Sequence, residues 1–113
     1  MCTMLNPQER FYSDLPPNEQ DYWVSQLRFS PAVTQTTAIT YAAYRYHPST
    51  YLFCEDDRAL PLQMQQVMVR QVNEELTKEG NLVIETESCS AGHSPFLSQP
   101  NTVLGLVEKV LGK

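Results

Sequence analysis

The stretch Thr50-Tyr51-Leu52-Phe53-Cys54-Glu55-Asp56-Asp57-Arg58-Ala59-Leu60-Pro61 limits what this chain can become more than any other part of it. Its β-forming residues, Tyr51 to Cys54, run straight into the consecutive acids Glu55, Asp56 and Asp57. A short apolar run that ends abruptly in carboxylates reads as a buried strand delivering charge to the edge of a sheet. Pro61 stands where a helix would begin, since its missing N–H costs nothing in a first turn. Strand, acidic loop and helix in succession are how open α/β sheets build sites outside the carboxyl ends of their strands. A second apolar run, Leu82 to Ile84, leads into Ser88-Cys89-Ser90-Ala91-Gly92-His93-Ser94-Pro95. One strand end therefore presents an acid and the next a histidine.

The segments around these anchors complete the pattern. After the strand at 51–54 the sequence predicts a helix over 61–79, with Met64, Met68, Val72 and Leu76 spaced along one face. Val67 and Val69 widen that stripe, and Gln63, Gln66, Arg70, Asn73 and Glu74 form the solvated side. Gly80-Asn81 ends it. A strand over 82–87 follows, and a last helix runs from about 99 to 111, with Ser98 as its cap and Pro100 in its first turn. Val103, Leu104, Val107, Val110 and Leu111 supply its apolar stripe. Residues 49–113 thus spell β-α-β-α, a parallel pair joined by a right-handed helical crossover. Two parallel strands want neighbours on both edges, so the unit reads as one side of a larger sheet.

Ahead of this unit the signals are weaker. Residues 1–14 show no period and read as irregular. Leu15-Pro16-Pro17-Asn18 breaks the chain and caps a short helix that carries Tyr22, Trp23 and Leu27 on its apolar edge and stops near Ser30-Pro31. Residues 32–46 mix strand-favouring Thr and Tyr with helix-favouring Ala, and read as weak helix or irregular chain. His47-Pro48 ends the segment.

Asp57 and His93 together suggest a chemistry. A serine hydroxyl is a poor nucleophile until a histidine takes its proton, and that histidine needs a carboxylate to fix its tautomer. Acid and base from successive strand ends, in that chain order, suit such a relay. The bland alternative is that the acids cap a helix and the Gly-His-Ser turn does nothing more.

The residues Cys54, Asp57 and Pro61, followed by Gln63 and Gln65, with Ala91-Gly92-His93-Ser94-Pro95-Phe96 and Gln99-Pro100 downstream, resemble the C-terminal part of an α/β-hydrolase. The likeness is to the branch holding plant methyl esterases, hydroxynitrile lyases and their fungal relatives. It implies a partial α/β-hydrolase fold, with Asp57 as catalytic acid and His93 as catalytic base. Phe11-Tyr12-Ser13-Asp14 and Trp23 to Leu27 resemble the late cap helices that roof the pocket, which makes residues 1–48 a cap-like segment. The activity implied for such proteins is hydrolysis of an ester or related acyl or C–X bond, including tailoring of secondary metabolites, with no cofactor.

The departures are as informative as the matches. Glycine occurs only at positions 80, 92, 105 and 112, so the 113 residues hold no G-x-S-x-G nucleophile elbow. Ser90 and Ser94 flank His93 but lie in its own loop, without the strained strand-to-helix turn that exposes a nucleophile. The expectation is a truncated or degenerate hydrolase, inactive alone, that would act on a small ester-like substrate only if an N-terminal half completed it. Self-association or a partner chain is the non-catalytic alternative, in which the chain completes another sheet. A divalent-metal site built from Cys54, the acids 55–57, Cys89 and His93 is a weaker rival, because Cys89-x3-His93 is not a strong zinc spacing.

A formal net charge of −5, with no cluster of Lys or Arg, argues against nucleic acid or an anionic membrane as partner. No apolar run approaches a membrane span and the N-terminus lacks a signal-like pattern, so the expectation is a soluble, cytoplasmic protein. Cys2, Cys54 and Cys89 are an odd number with no C-x-x-C, and do not suggest a disulfide framework.

Overall fold

Two parallel strands, β1 (Thr50–Cys54) and β2 (Glu85–Cys89), form the sheet in a computed structural model that describes residues 5–112. The register sets Thr50 opposite Glu85 and Cys54 opposite Cys89. Helix α4 (Leu62–Lys78) connects them, and α6 (Pro100–Val110) follows β2 after the single turn α5 (Pro95–Ser98). Phe53 and Thr86 share a groove with Val69 and Asn73 of α4, whereas Glu85 and Glu87 share another with Leu106 and Lys109 of α6. The two long helices therefore lie on opposite faces, and the chain is an α/β unit with β-α-β-α order.

The termini of α4 follow from its sequence. Pro61 is extended, at φ −54° and ψ 148°, and the helix starts just behind it. At the other end Gly80 turns left-handed at φ 74°, so that Asn81 N–H reaches the Leu76 carbonyl at 2.9 Å and Gly80 N–H that of Thr77 at 3.1 Å. The buried stripe is Gln65, Val69 and Leu76, with Val72 half-buried. Met64 and Met68 were expected on that stripe but stand 54% and 41% exposed. Asn73 was expected on the solvated side but turns inward.

That inward turn explains the largest displacement from the expected topology. The second strand was expected over 82–87, and it begins only at Glu85. Asn73 Oδ1 receives the Ile84 N–H at 2.8 Å, and Asn73 Nδ2 donates to the Ile84 carbonyl at 3.2 Å. Both peptide groups of Ile84 are thereby taken before pairing starts, and Glu85 N–H then bonds the Ser49 carbonyl at 3.0 Å. The apolar run that suggested a strand is a connection, with Leu82 74% exposed. The strand itself reads Glu-Thr-Glu-Ser-Cys.

Before the sheet come α1 (Pro7–Tyr12), α2 (Pro17–Ser25), α3 (Val33–Thr36) and a 3-10 turn at Ala43–Arg45. Helix α1 falls where an irregular segment was expected, with Pro7 in its first turn. Helix α2 ends at Ser25, short of Ser30-Pro31, and its N-cap is Pro16, with Asn18 already inside it. Tyr22 and Leu27 of its expected apolar edge are exposed, and Tyr12 and Leu15 are buried instead. Arg45 ties this segment to α4 through Glu75, at 3.2 Å, and Glu79.

The last helix also differs in detail. Gln99, not Ser98, precedes it, because Ser98 closes the separate turn α5. Val103 and Leu106 are its half-buried residues, while Leu104, Val107, Val110 and Leu111 are exposed. The central core is correspondingly small: Cys54, Cys89 and Ala91, with Leu52 packed against them.

Candidate functional site

The acid loop is built at the carboxyl end of β1. Pairing runs past the strand, with Glu55 N–H on the Cys89 carbonyl at 3.0 Å and Asp56 N–H on that of Ala91 at 3.1 Å. The chain then folds back, and Asp57 Oδ1 accepts the N–H groups of Ala59 at 2.9 Å and Leu60 at 2.8 Å. An aspartate that caps its own following turn has little rotamer freedom left. Its side chain is 7% exposed.

Gln65 locks this loop from below. It is 1% exposed, and its amide receives the Cys54 N–H at 3.0 Å while donating to the carbonyls of Cys54 at 3.0 Å and Leu60 at 2.7 Å. One side chain thus fastens the last residue of the strand to the far end of the acid loop. Buried polar groups without partners cost about 1–3 kcal/mol each, so the glutamine is structural as well as positional.

The histidine loop leaves β2 one position beyond Cys89. Ala91 is fully buried, and His93 Nδ1 lies 2.9 Å from Asp57 Oδ2 and 3.0 Å from Oδ1. With Nδ1–H donated to the carboxylate, Nε2 presents its lone pair outward and has no hydrogen-bond partner among the described residues. The His93 side chain is 38% exposed, and Phe11 of α1 stacks on its ring at 5.1 Å between centroids and 27° between planes. An anchored acid, an oriented imidazole and a free Nε2 are what a general base requires geometrically.

Other residues of the neighbourhood sort plainly. Asp14 Oδ2 receives the Gly92 N–H at 2.8 Å. Asp56 and Glu9 flank Arg58, at 4.0 and 3.2 Å, on the outer surface of the acid loop. Ser94 is buried and precedes α5, and Ser90 Oγ receives the Gln99 side-chain amide at 3.2 Å. Neither serine bonds to His93. Cys54 and Cys89 are free, buried thiols side by side across the strands. Burial, reinforced by the neighbouring Cys89, pushes the Cys54 thiol up to about 12. Burial also raises Tyr51, with smaller contributions from Cys54 and Asp57. Among the described residues no three His, Cys, Asp or Glu side chains converge as metal ligands. The convergence imagined for Cys54, Cys89, the acids and His93 fails because both thiols turn into the core. Among the described residues no helix is long and apolar enough to cross a membrane.

Sequence reasoning singled out Asp57 and His93, and the structure brings them together. It placed Gln65 in the resemblance and Phe11 to Asp14 in the cap-like segment, but gave none of the three a contact with the acid or histidine loop. Gln65 could have been found as a polar position on the helical stripe it shares with Val69 and Leu76. Asp14 and Phe11 touch the histidine loop across a long stretch of chain, and no local spacing reveals such a contact.

Residues 3–105 match the alpha/beta hydrolase family, and the chain belongs to that family. It is similar to the alpha/beta hydrolase nvfD of Aspergillus novofumigatus (strain IBT 16806), with 35% identity over 102 residues. The match takes in 90% of this chain and 38% of that relative's length.

Proposed function

We propose that Asp57 and His93 are the acid and base of a Ser-His-Asp relay for hydrolysis of an ester-like or related acyl bond. The nucleophile would come from a segment outside these 113 residues. The observation that carries this reading is the hydrogen bond from His93 Nδ1 to a carboxylate already fixed by two backbone N–H groups. In this reading Nε2 takes the proton of the attacking hydroxyl, Asp57 stabilises the imidazolium, and the same proton passes to the leaving alcohol. Residues 1–48 would roof the pocket, since Phe11 already lies against the imidazole. Membership of the hydrolase family supports the class of reaction, and the fold by itself does not choose a substrate within that class.

Acid and base alone supply about 10²–10⁴-fold, short of the roughly 10⁶-fold at the lower end of enzymatic acceleration. The chain alone is therefore expected to show no hydrolysis of p-nitrophenyl esters above a His93→Ala control, and no labelling by a fluorophosphonate. The decisive experiment is to read the frame upstream of Met1 for G-x-S-x-G and to express the segment that carries it together with this chain. Esterase activity that depends on His93 supports the proposal. Fluorophosphonate labelling of the lone chain at Ser90 or Ser94 would overturn it in favour of a compact enzyme with its own nucleophile.

A second reading keeps the fold and drops the chemistry. The two-stranded sheet has a free edge on each side among the described residues, and a strand edge is a template for another chain. A non-catalytic role in completing a partner's sheet would show as binding without His93-dependent activity.

A further inference from the structure

Segment 9–14 touches both loops of the candidate site. Glu9 pairs with Arg58 of the acid loop at 3.2 Å, Phe11 stacks on the His93 ring, and Asp14 Oδ2 receives the Gly92 N–H at 2.8 Å. The last contact is the tightest. A Cβ built on Gly92 would stand 3.0 Å from Asp14 Oδ1, 3.1 Å from Ser13 Oγ and 3.2 Å from Asp14 Cγ, so only glycine admits this approach without displacing something. Asp14 Oδ1 and Ser13 Oγ are both buried and have no hydrogen-bond partner among the described residues, so two unsatisfied atoms stand at this contact. Asp14 as a whole is half-buried, and the hydrogen bond from Gly92 to its Oδ2 offsets part of the cost of desolvating the carboxylate.

We propose that Asp14 is a positioning residue for His93: by holding the Gly92 N–H it fixes the Ala91–Gly92 peptide, whose carbonyl already accepts the Asp56 N–H, one residue ahead of the histidine, while Phe11 from the same segment fixes the plane of the ring. Gly92 is the immediate neighbour of His93, so a shift of its peptide is transmitted to the Cα of the histidine. Asp57 cannot follow such a shift, because Ala59 and Leu60 pin its carboxylate. Loss of the Asp14 contact is therefore felt as a lengthened Nδ1–Asp57 bond. The proposal rests on the reading of His93 as the base, but its test reads the imidazole directly and needs no nucleophile.

The experiment is long-range proton–nitrogen NMR on the ¹⁵N-labelled 113-residue chain, following the tautomer of His93 with His47 as internal control. The native chain should show His93 protonated at Nδ1. Asp14→Ala should lower the ratio of Nδ1–H to Nε2–H tautomer by about tenfold, the scale of one weakened charge-assisted hydrogen bond, and leave His47 unchanged. Asp14→Asn keeps an acceptor for Gly92 and should restore most of the native ratio. Gly92→Ala should reproduce the Asp14→Ala effect from the other side, and the two changes combined should cost less than their sum, because removing the carboxylate makes room for the methyl. A native ratio in Asp14→Ala overturns the proposal. Should Asp14→Ala lose its fold, Gly92→Ala decides: an altered His93 beside an unaltered His47 supports the proposal, and an unaltered His93 ends it. Failure of esterase activity on completion would count against the relay reading alone, and leave this result standing.

Discussion

The carboxyl end of the sheet and the outer side of α6 are finished to different degrees. At the sheet end Gln65 makes three hydrogen bonds, Asp57 holds two backbone N–H groups and the imidazole, and Asp14 reaches in to hold Gly92. On α6, Leu104, Val107, Val110 and Leu111 stand between 46% and 64% exposed. The central core between these regions is four residues, two of them cysteines. Polar order here is local and dense, whereas apolar packing is sparse. The candidate site is thus preorganised by hydrogen bonds within its own loops and does not depend on a large core beneath it.

The largest effect expected at the ordered end is on chemistry. If the proposed relay operates, Asp57→Asn, in this chain expressed with a nucleophile-bearing segment, should lower kcat by about 10⁴-fold. The variant can still accept the Ala59 and Leu60 N–H groups, so the loop keeps its shape. Its amide, however, would meet Nδ1 as a donor, which leaves the proton on Nε2 where the nucleophile's proton must go. Steady-state ester hydrolysis by the matched pair of enzymes checks this. A variant with more than a tenth of native activity would separate the ordered geometry from the proposed relay.

The next effect is on stability. Gln65→Leu strands the buried Cys54 N–H and carbonyl and the part-buried Leu60 carbonyl, at a cost of about 3 kcal/mol. Urea titration of the lone chain measures it, and a loss under about 1 kcal/mol would show that the loop is held by something other than this amide.

How much of this could be read beforehand depended on which interactions are local. Strand β1, helix α4 and the Asp57–His93 pairing were legible, because each is set by patterning within one element or by the ends of adjoining ones. Strand β2 was misplaced because periodicity sees Leu82-Val83-Ile84 and cannot see Asn73 occupying the peptide groups of Ile84. Helix α1 was missed because it is short and follows Asn6, whose left-handed φ of 52° is no ordinary N-cap. The inward face of α6 was misjudged for a different reason. Its stripe is wide, and which part of it meets the sheet is decided by the loop that delivers it.

The buried thiols sharpen the comparison more gently. Cys54 is pushed up to about 12 from an ordinary value of 9.0, chiefly by burial. The folded chain therefore keeps this proton at a pH where the unfolded chain has lost it. Between about pH 9.0 and 12 the unfolded state binds fewer protons, so stability falls as pH rises. Below that window the contribution is complete, and above it the contribution is gone. Urea midpoints collected from pH 8 to 11 should decline more steeply for the native chain than for Cys54→Ala. Parallel curves would place the thiol in water, against its observed burial.

The smallest effect is expected where the molecule is least finished. Leu104 and Val107 lie one turn apart on the exposed side of α6, so replacing both with glutamate removes little packing. Surface changes of this kind usually stay within about 0.5 kcal/mol, and the double variant should melt close to the native chain. Association is where the two should part. A contiguous apolar face on a small domain favours contact with another surface, so the native chain should elute larger as its concentration rises. In the double variant the added carboxylates increase a net charge that is already −5, and that trend should be suppressed. Size-exclusion chromatography over a concentration series, with a thermal melt of each sample, separates the outcomes. Equal melting with suppressed association confirms an open face. A marked drop in melting temperature would instead mean that these residues pack against the chain itself, which would remove the contrast between a finished site and an unfinished helix.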